Sequence, residues 1–162
     1  MKFEQGLTIL NRFELLKKIG STAVGEVWLA EDIKKGNIVT IKLISSKLFN
    51  KKSDLKKLKE EFRTFSQLKC RKISEVYELF DEKGILFYSS EYVEGSKLPE
   101  LRGEPLAQII PVFIEISKAL LELHNFGIIH GDIKPSDIIV KKDKSIKLVD
   151  TGILSFFEQR HP

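Results

Sequence analysis

The sequence is poor in the residues that staple a chain together or insert it into a membrane. It holds a single cysteine, Cys70. No internal disulfide can therefore form and no second thiol can share a metal, which points to a reducing, cytoplasmic setting. No apolar run approaches the ~20 residues of a membrane span, and the opening MKFEQGLTIL lacks the apolar centre of a signal peptide. Repeats and low-complexity tracts are missing too. Nor is there a large excess of one charge, since 27 Lys and Arg stand against 23 Asp and Glu. The surplus lysine sits in 47–59 (KLFNKKSDLKKLK) and 141–144 (KKDK), which read as a solvated helix face and a turn rather than as a nucleic-acid or membrane surface.

What is present is the make-up of a globular chain, with 42% apolar and 31% charged residues in a length of 162. Such a chain forms one domain or two small lobes and buries roughly 70% of its unfolded surface. Residues 13–32 (FELLKKIGSTAVGEVWLAED) read as strand, glycine-containing turn, strand, and IVTIKLI at 38–44 as a third strand. Ser53 is placed to cap a helix of about 16 residues whose apolar stripe is Leu55, Leu58, Phe62, Phe65 and Leu68. Two more strands are expected at 75–80 and 85–93. EGSKLPELRGEP at 94–105 reads as a linker with at most one helical turn. An apolar helix follows over 106–125, with Ile109, Phe113, Ile116, Leu120 and Leu123 on one face, its regular part beginning near Pro111. A small hairpin, 138–140 with 146–149, closes the pattern. The fold class is α+β: a five-stranded antiparallel sheet with one helix over 1–93, then a second, mainly helical part over 94–162.

Four features carry chemistry. Gly20–Gly25 (GSTAVG) lies between two strands, where glycines admit a phosphate to the backbone or simply make a turn. Lys42 stands inside an apolar strand, reaching either an edge or an anion in a cleft. Glu61, beside the helix stripe, can face inward toward such a lysine, while Glu60 faces solvent. Asp150 ends the strand IKLV and is followed by Thr151-Gly152, as suits either a turn or a magnesium ligand. To these the stretch IIHGDIKPSDIIV adds Asp132, Lys134 and Asp137 within a few residues.

In their order, IGSTAVGEV, VTIK, Glu61 in KEEF, EYVEG, HGDIKPSD and VDTG resemble the signature set of protein kinases, over about Phe13 to Gly152. The resemblance implies ATP and magnesium as cofactors and a protein hydroxyl as acceptor. It places Gly20, Gly25 and Val27 over the nucleotide and Lys42 on its α- and β-phosphates, paired with Glu61. Glu91–Val93 becomes the hinge that meets adenine, with Ser90 at the mouth of a back pocket. Asp132 accepts the proton of the substrate hydroxyl, Lys134 neutralises the transferred group, and Asp137 and Asp150 bind magnesium. Lysine two residues after Asp132 is the serine/threonine pattern, and His130 is architectural rather than an acid or base.

Departures from the pattern matter. Thr22 replaces the central glycine of the phosphate loop, and Gly131 replaces the arginine that grips a phosphorylated activation loop. Asp137 stands for asparagine and Thr151 for phenylalanine. The chain stops ten residues after Gly152, so the resemblance implies a fold cut short. An apolar surface would be left exposed on the 106–125 helix, favouring self-association or a partner chain. Two rivals stand beside this reading: a nucleotide-binding pseudokinase or interaction module, and a small-molecule phosphotransferase of the aminoglycoside type, suggested by HGD.

Overall fold

The computed structural model describes residues 3–22, 24–45, 52–131, 133–150 and 153. Strands β1 (Thr8–Ile9), β2 (Phe13–Thr22), β3 (Gly25–Asp32) and β4 (Asn37–Ile44) precede helix α1 (Lys52–Ser66), and β5 (Val76–Glu82) and β6 (Ile85–Glu91) follow it. These strands form one antiparallel sheet in the order β1-β2-β3-β4-β6-β5. The sheet has six strands instead of the expected five. Leu10 and Asn11, both at positive φ (51° and 53°), turn the chain back sharply enough for Thr8 and Ile9 to pair with Glu14 and Phe13.

Alternation along the strands separates two apolar cores. Val39, Ile41 and Leu43 of β4 point to one face, with Phe13, Leu15, Trp28, Ala30 and Phe87. Ile44, Leu86 and Tyr88 point to the other, where α1 lays down Leu58, Phe62 and Phe65, with Leu68 just past its end. That stripe is the one its spacing predicts. Ser53, however, lies inside the first turn, because α1 already begins at Lys52. Position 51 falls outside the described residues.

After β6 come β7 (Ser96–Lys97), a 3-10 turn at Leu98–Leu101 and helix α2 (Leu106–Asn125). A second 3-10 turn, Pro135–Asp137, leads into β8 (Ile138–Val140) and β9 (Ile146–Leu148). The hairpin β8–β9 gains β7 as a third strand, in the order β7-β8-β9. The bounds of α2 match expectation, but two details differ. Pro111 lies within the helix rather than at its start. Only the bond to the carbonyl four residues back is lost, on a turn exposed to water. The buried stripe is Val112, Ile116, Ala119 and Leu123, while Phe113 is 54% exposed. Leu106, Ile110, Ile114 and Leu121 share that outward side, so the helix is apolar on both faces.

Two tethers shape the rest. The connector after α1 is laced to β9 and β6. Leu148 N donates to the Lys72 carbonyl, Ser74 N to that of Leu148 and Glu91 N to that of Glu75, each at 2.8 Å. Away from the cleft, Arg12 holds Asp32 with Nε and Nη2 at 2.9 and 2.7 Å and Glu78 with Nη1 and Nη2 at 2.9 and 2.6 Å. Its guanidinium stacks on the Phe13 ring, 4.6 Å from the centroid. Among the described residues no helix is long and apolar enough to cross a membrane.

Candidate active site

The roof of the site is the β2–β3 hairpin. Gly20 pairs with Val27 and Thr22 with Gly25, and Val27 in turn pairs with Lys42 of β4. The two glycines serve differently. A Cβ on Gly20 would meet only the Val27 side chain, at 3.7 Å, whereas one on Gly25 would lie 1.8 Å from the Leu43 carbonyl oxygen. Gly25 is thus demanded by packing of the hairpin on β4. Neither the side chain of Thr22 nor residue 23 is among the described parts.

Lys42 is 4% exposed. A buried ammonium is costly unless paired, and its Nζ lies 2.6 Å from Asp150 Oδ2. The expected pair with Glu61 is replaced: Glu61 instead faces Lys57, at 3.8 Å, on the outer part of α1. Burial raises the Glu61 carboxyl above its ordinary pKa, with Lys57 opposing. The reason is rotational. The stripe that packs into the core is Leu58–Phe62–Phe65, and Glu61 lies at its margin.

The floor comes from residues 130–137. His130 is buried, and its Nε2 donates to the Asp150 carbonyl at 2.6 Å. The imidazole therefore holds backbone and is taken up in architecture. Gly131, at φ 78°, occupies a left-handed conformation that an arginine adopts only with strain. Asp132 lies outside the described residues, as do Thr151 and Gly152. Lys134 is exposed and begins the short 3-10 turn, its N–H donating to Asp137 Oδ2 at 3.2 Å. Val149 N donates to the Asp137 carbonyl at 2.8 Å, which sets Asp137 beside the strand end that carries Asp150.

That proximity has an electrostatic signature. Burial, and then the Asp150 charge, push the Asp137 carboxyl above its ordinary value. A carboxyl raised by a neighbouring carboxylate, with oxygen donors only, is the donor chemistry a hard divalent cation takes. The oxygen donors of Asp137 and Asp150 suit such a cation. Removing one of these like charges should stabilise the metal-free protein. Asp137→Asn is expected to raise its stability by about 0.5–1 kcal/mol at pH 7. Melting curves without divalent ions test this, and a lower midpoint for the variant would contradict the repulsion.

Val93 is buried at the hinge end of β6. Glu91 turns its side chain the other way, accepting from Glu75 N at 3.2 Å and from Lys147 Nζ of β9. This link escaped the sequence reading, although its signal was the one used for Lys42: a lysine within an apolar strand, here IKL. Cys70 was likewise read only as a lone thiol. It is buried, and its Sγ donates to Glu122 of α2 at 2.6 Å.

A family model described as the protein kinase domain matches residues 13–162. The serine/threonine-protein kinase PrkC of Bacillus subtilis is 32% identical over 152 residues, covering 91% of this chain and 24% of that protein. The serine/threonine-protein kinase PknD of Protochlamydia amoebophila is 31% identical over 171 residues, covering 95% and 17%. The PknI kinase domain of Mycobacterium tuberculosis superposes with a TM-score of 0.76 at 22% identity, covering 94% of this chain and 62% of that one. The chain thus spans about a quarter or less of these curated relatives and under two thirds of that solved domain.

Proposed function

This chain belongs to the protein kinase domain family, and on that premise we propose that it moves the γ-phosphoryl group of ATP to a serine or threonine hydroxyl of a protein. Residues 1–93 are taken as the nucleotide-binding part and 94–162 as the part that brings the catalytic loop. The observation that carries the reading is the 2.6 Å pair between Lys42 and Asp150, 108 positions apart in sequence. It sets a phosphate-binding cation and a magnesium-binding carboxylate against one another across the cleft.

The roles follow from the chemistry of each group. Gly20, Gly25 and Val27 cover the nucleotide, and the backbone of Glu91–Val93 reads its base. Lys42 holds the phosphates, with Glu61 reaching it only if α1 turns. Asp137 and Asp150 would hold magnesium, which would supply charge neutralisation for the phosphates. Asp132 orients the hydroxyl and takes its proton, and Lys134 offsets charge on the transferred group. Rate enhancement then comes from positioning and fixed charge rather than from a covalent intermediate. A second reading, a module that binds nucleotide without transfer, draws on the position of Glu61 against Lys57 rather than Lys42. We further propose that the outward apolar side of α2 meets a second copy or a partner chain.

Thermal stability with millimolar Mg-ATP tests the site, because binding to the native state raises its stability, by about 2.7 kcal/mol at a hundred times Kd. A shift is expected in the wild type and its loss in Lys42→Met and Asp150→Asn; no shift in the wild type would sink the reading. Transfer of labelled phosphate, present in the wild type and absent in Asp132→Ala, marks an enzyme. A shift without transfer marks a module.

A further inference from the structure

A second cavity, of about 740 Å³, opens on the outer side of the hinge. Its walls are the hinge stretch 92–96 and the β8–β9 turn 140–144, with Glu91 and Leu101. It shares Glu91, Tyr92 and Val93 with the hinge, whereas Lys42, Asp150 and Val27 do not border it. Its size is that of a site for a small molecule or a few peptide residues.

The charges in this cavity are uneven. Lys141, Lys142 and Lys144 all come from the one turn. None has an ion-pair partner among the described residues, whereas Lys18, Lys35, Lys42, Lys56, Lys59, Lys72 and Lys147 do. Lys144 makes a hydrogen bond to Gln108 Oε1 at 3.1 Å. Of the acids lining the cavity, Glu91 is neutralised by Lys147, while Asp143 keeps its charge, its carboxyl held below the ordinary value first by Ser145 Oγ and N, at 2.6 and 3.0 Å, and then by Lys141. Asp143 and Glu94 stand against the three lysines, which still outnumber them.

The turn is also held in one shape. Lys141 N donates to the Ser145 carbonyl at 2.9 Å and Lys144 N to that of Lys141 at 3.0 Å. Lys144 sits at φ 64°, a left-handed conformation unusual for lysine. The ammonium groups therefore spring from a fixed scaffold beside an apolar floor of Leu101 and Val140 and the half-exposed ring of Tyr92.

We infer that this cavity docks an acidic peptide segment of the protein substrate, in which carboxylates alternate with apolar side chains, away from the phosphate-accepting hydroxyl. The lysines of the turn take the carboxylates and the floor takes the apolar residues. Glu94 at the rim disfavours a uniform polyanion such as a nucleic-acid backbone. The inference rests on the kinase reading for the word substrate, but the site itself does not depend on it.

The test is fluorescence anisotropy of a labelled peptide of alternating glutamate and leucine, at about 150 mM salt, where weak surface attraction is screened. Saturable binding is expected, with a loss of about tenfold or more in Lys141→Glu/Lys142→Glu. Lys17→Glu/Lys34→Glu carries the same change in net charge elsewhere on the surface and should bind as the wild type does. Equal binding by the turn variant overturns the proposal, as does equal loss in the control pair. Binding of single-stranded RNA as tight as that of the peptide overturns it in favour of a polyanion surface. The Mg-ATP thermal shift, measured on the same variants, separates the two claims. If it is absent while the peptide still depends on Lys141 and Lys142, the kinase reading fails and the docking site stands.

Discussion

Arg12→Ala is expected to lose about 3–5 kcal/mol of folding stability, the cost of leaving a buried charge without its partner. The size follows from what remains. Asp32, with a side chain only 2% exposed, loses both of its guanidinium contacts, and Lys35 reaches Glu78 rather than Asp32. The stacking of Arg12 on Phe13 goes as well. For a chain of this length the melting midpoint should fall by roughly 10 °C. Lys18→Ala, which removes an exposed pair with Glu26, should change it little. Asp32→Asn on the Arg12→Ala background should recover part of the loss, and a single variant within about 1 kcal/mol of the wild type would refute the account.

The same cluster sets an acid limit. Arg12, and after it Lys35, hold the Glu78 carboxyl down at about 2 against an ordinary 4.5, while burial opposes them. A carboxyl with a depressed folded pKa contributes stability that is complete above its unfolded value and lost as pH falls toward its folded value. The window therefore runs from about pH 4.5 down to about 2. Because the Glu78 side chain is 37% exposed, solvent screening leaves roughly 1–2 kcal/mol for this group. Glu78→Gln should flatten the stability–pH curve in that window.

Gly25→Ala is expected to cost about 3 kcal/mol, the upper end for overpacking. The added methyl would lie 1.8 Å from the Leu43 carbonyl oxygen and 2.9 Å from its carbon, and a strand backbone cannot withdraw as a flexible side chain can. The pairs Gly25–Ile44 and Glu26–Leu43 have to separate, carrying the hairpin away from Lys42. The Mg-ATP shift should shrink along with the stability. Gly20→Ala is the contrast. Its methyl finds ordinary contact with Val27, so it should fold almost normally and affect only nucleotide binding. Similar losses of stability in both variants would show that the Leu43 contact is not what fixes Gly25.

These two sites also show what a sequence can and cannot reveal. The hairpin glycines, Lys42 and Asp150 were legible because each breaks a local pattern: glycines between strands, charges at or in apolar runs. The α1 stripe was legible because one face alone is buried. Helix α2 misled on Phe113 because its apolar residues surround the axis, and spacing then cannot tell the inner face from the outer. Strand β1 is two residues long, too short for any alternation to register. The Arg12 cluster joins the turn before β2, the end of β3 and the body of β5, and no periodicity encodes that meeting. Glu61 shows a different limit. Its place on the helix was readable, but the few tens of degrees that decide between Lys42 and Lys57 depend on how the whole stripe seats in the core.

The separation of Lys42 from Asp150 has a consequence for the order of synthesis. The chain is made from its amino terminus, and domains fold as their segments emerge. Strand β6 ends at Glu91, so the six-stranded sheet can close while β9 is still unmade. In that interval the lysine of β4 must face the cleft without the carboxylate that later meets it at 2.6 Å. Burying the ammonium early would be costly, which favours a nascent sheet that stays open on this side until β9 arrives. Assembly of the site then follows closure of the sheet, and a ribosome-bound chain halted before residue 150 should hold its sheet but not its nucleotide.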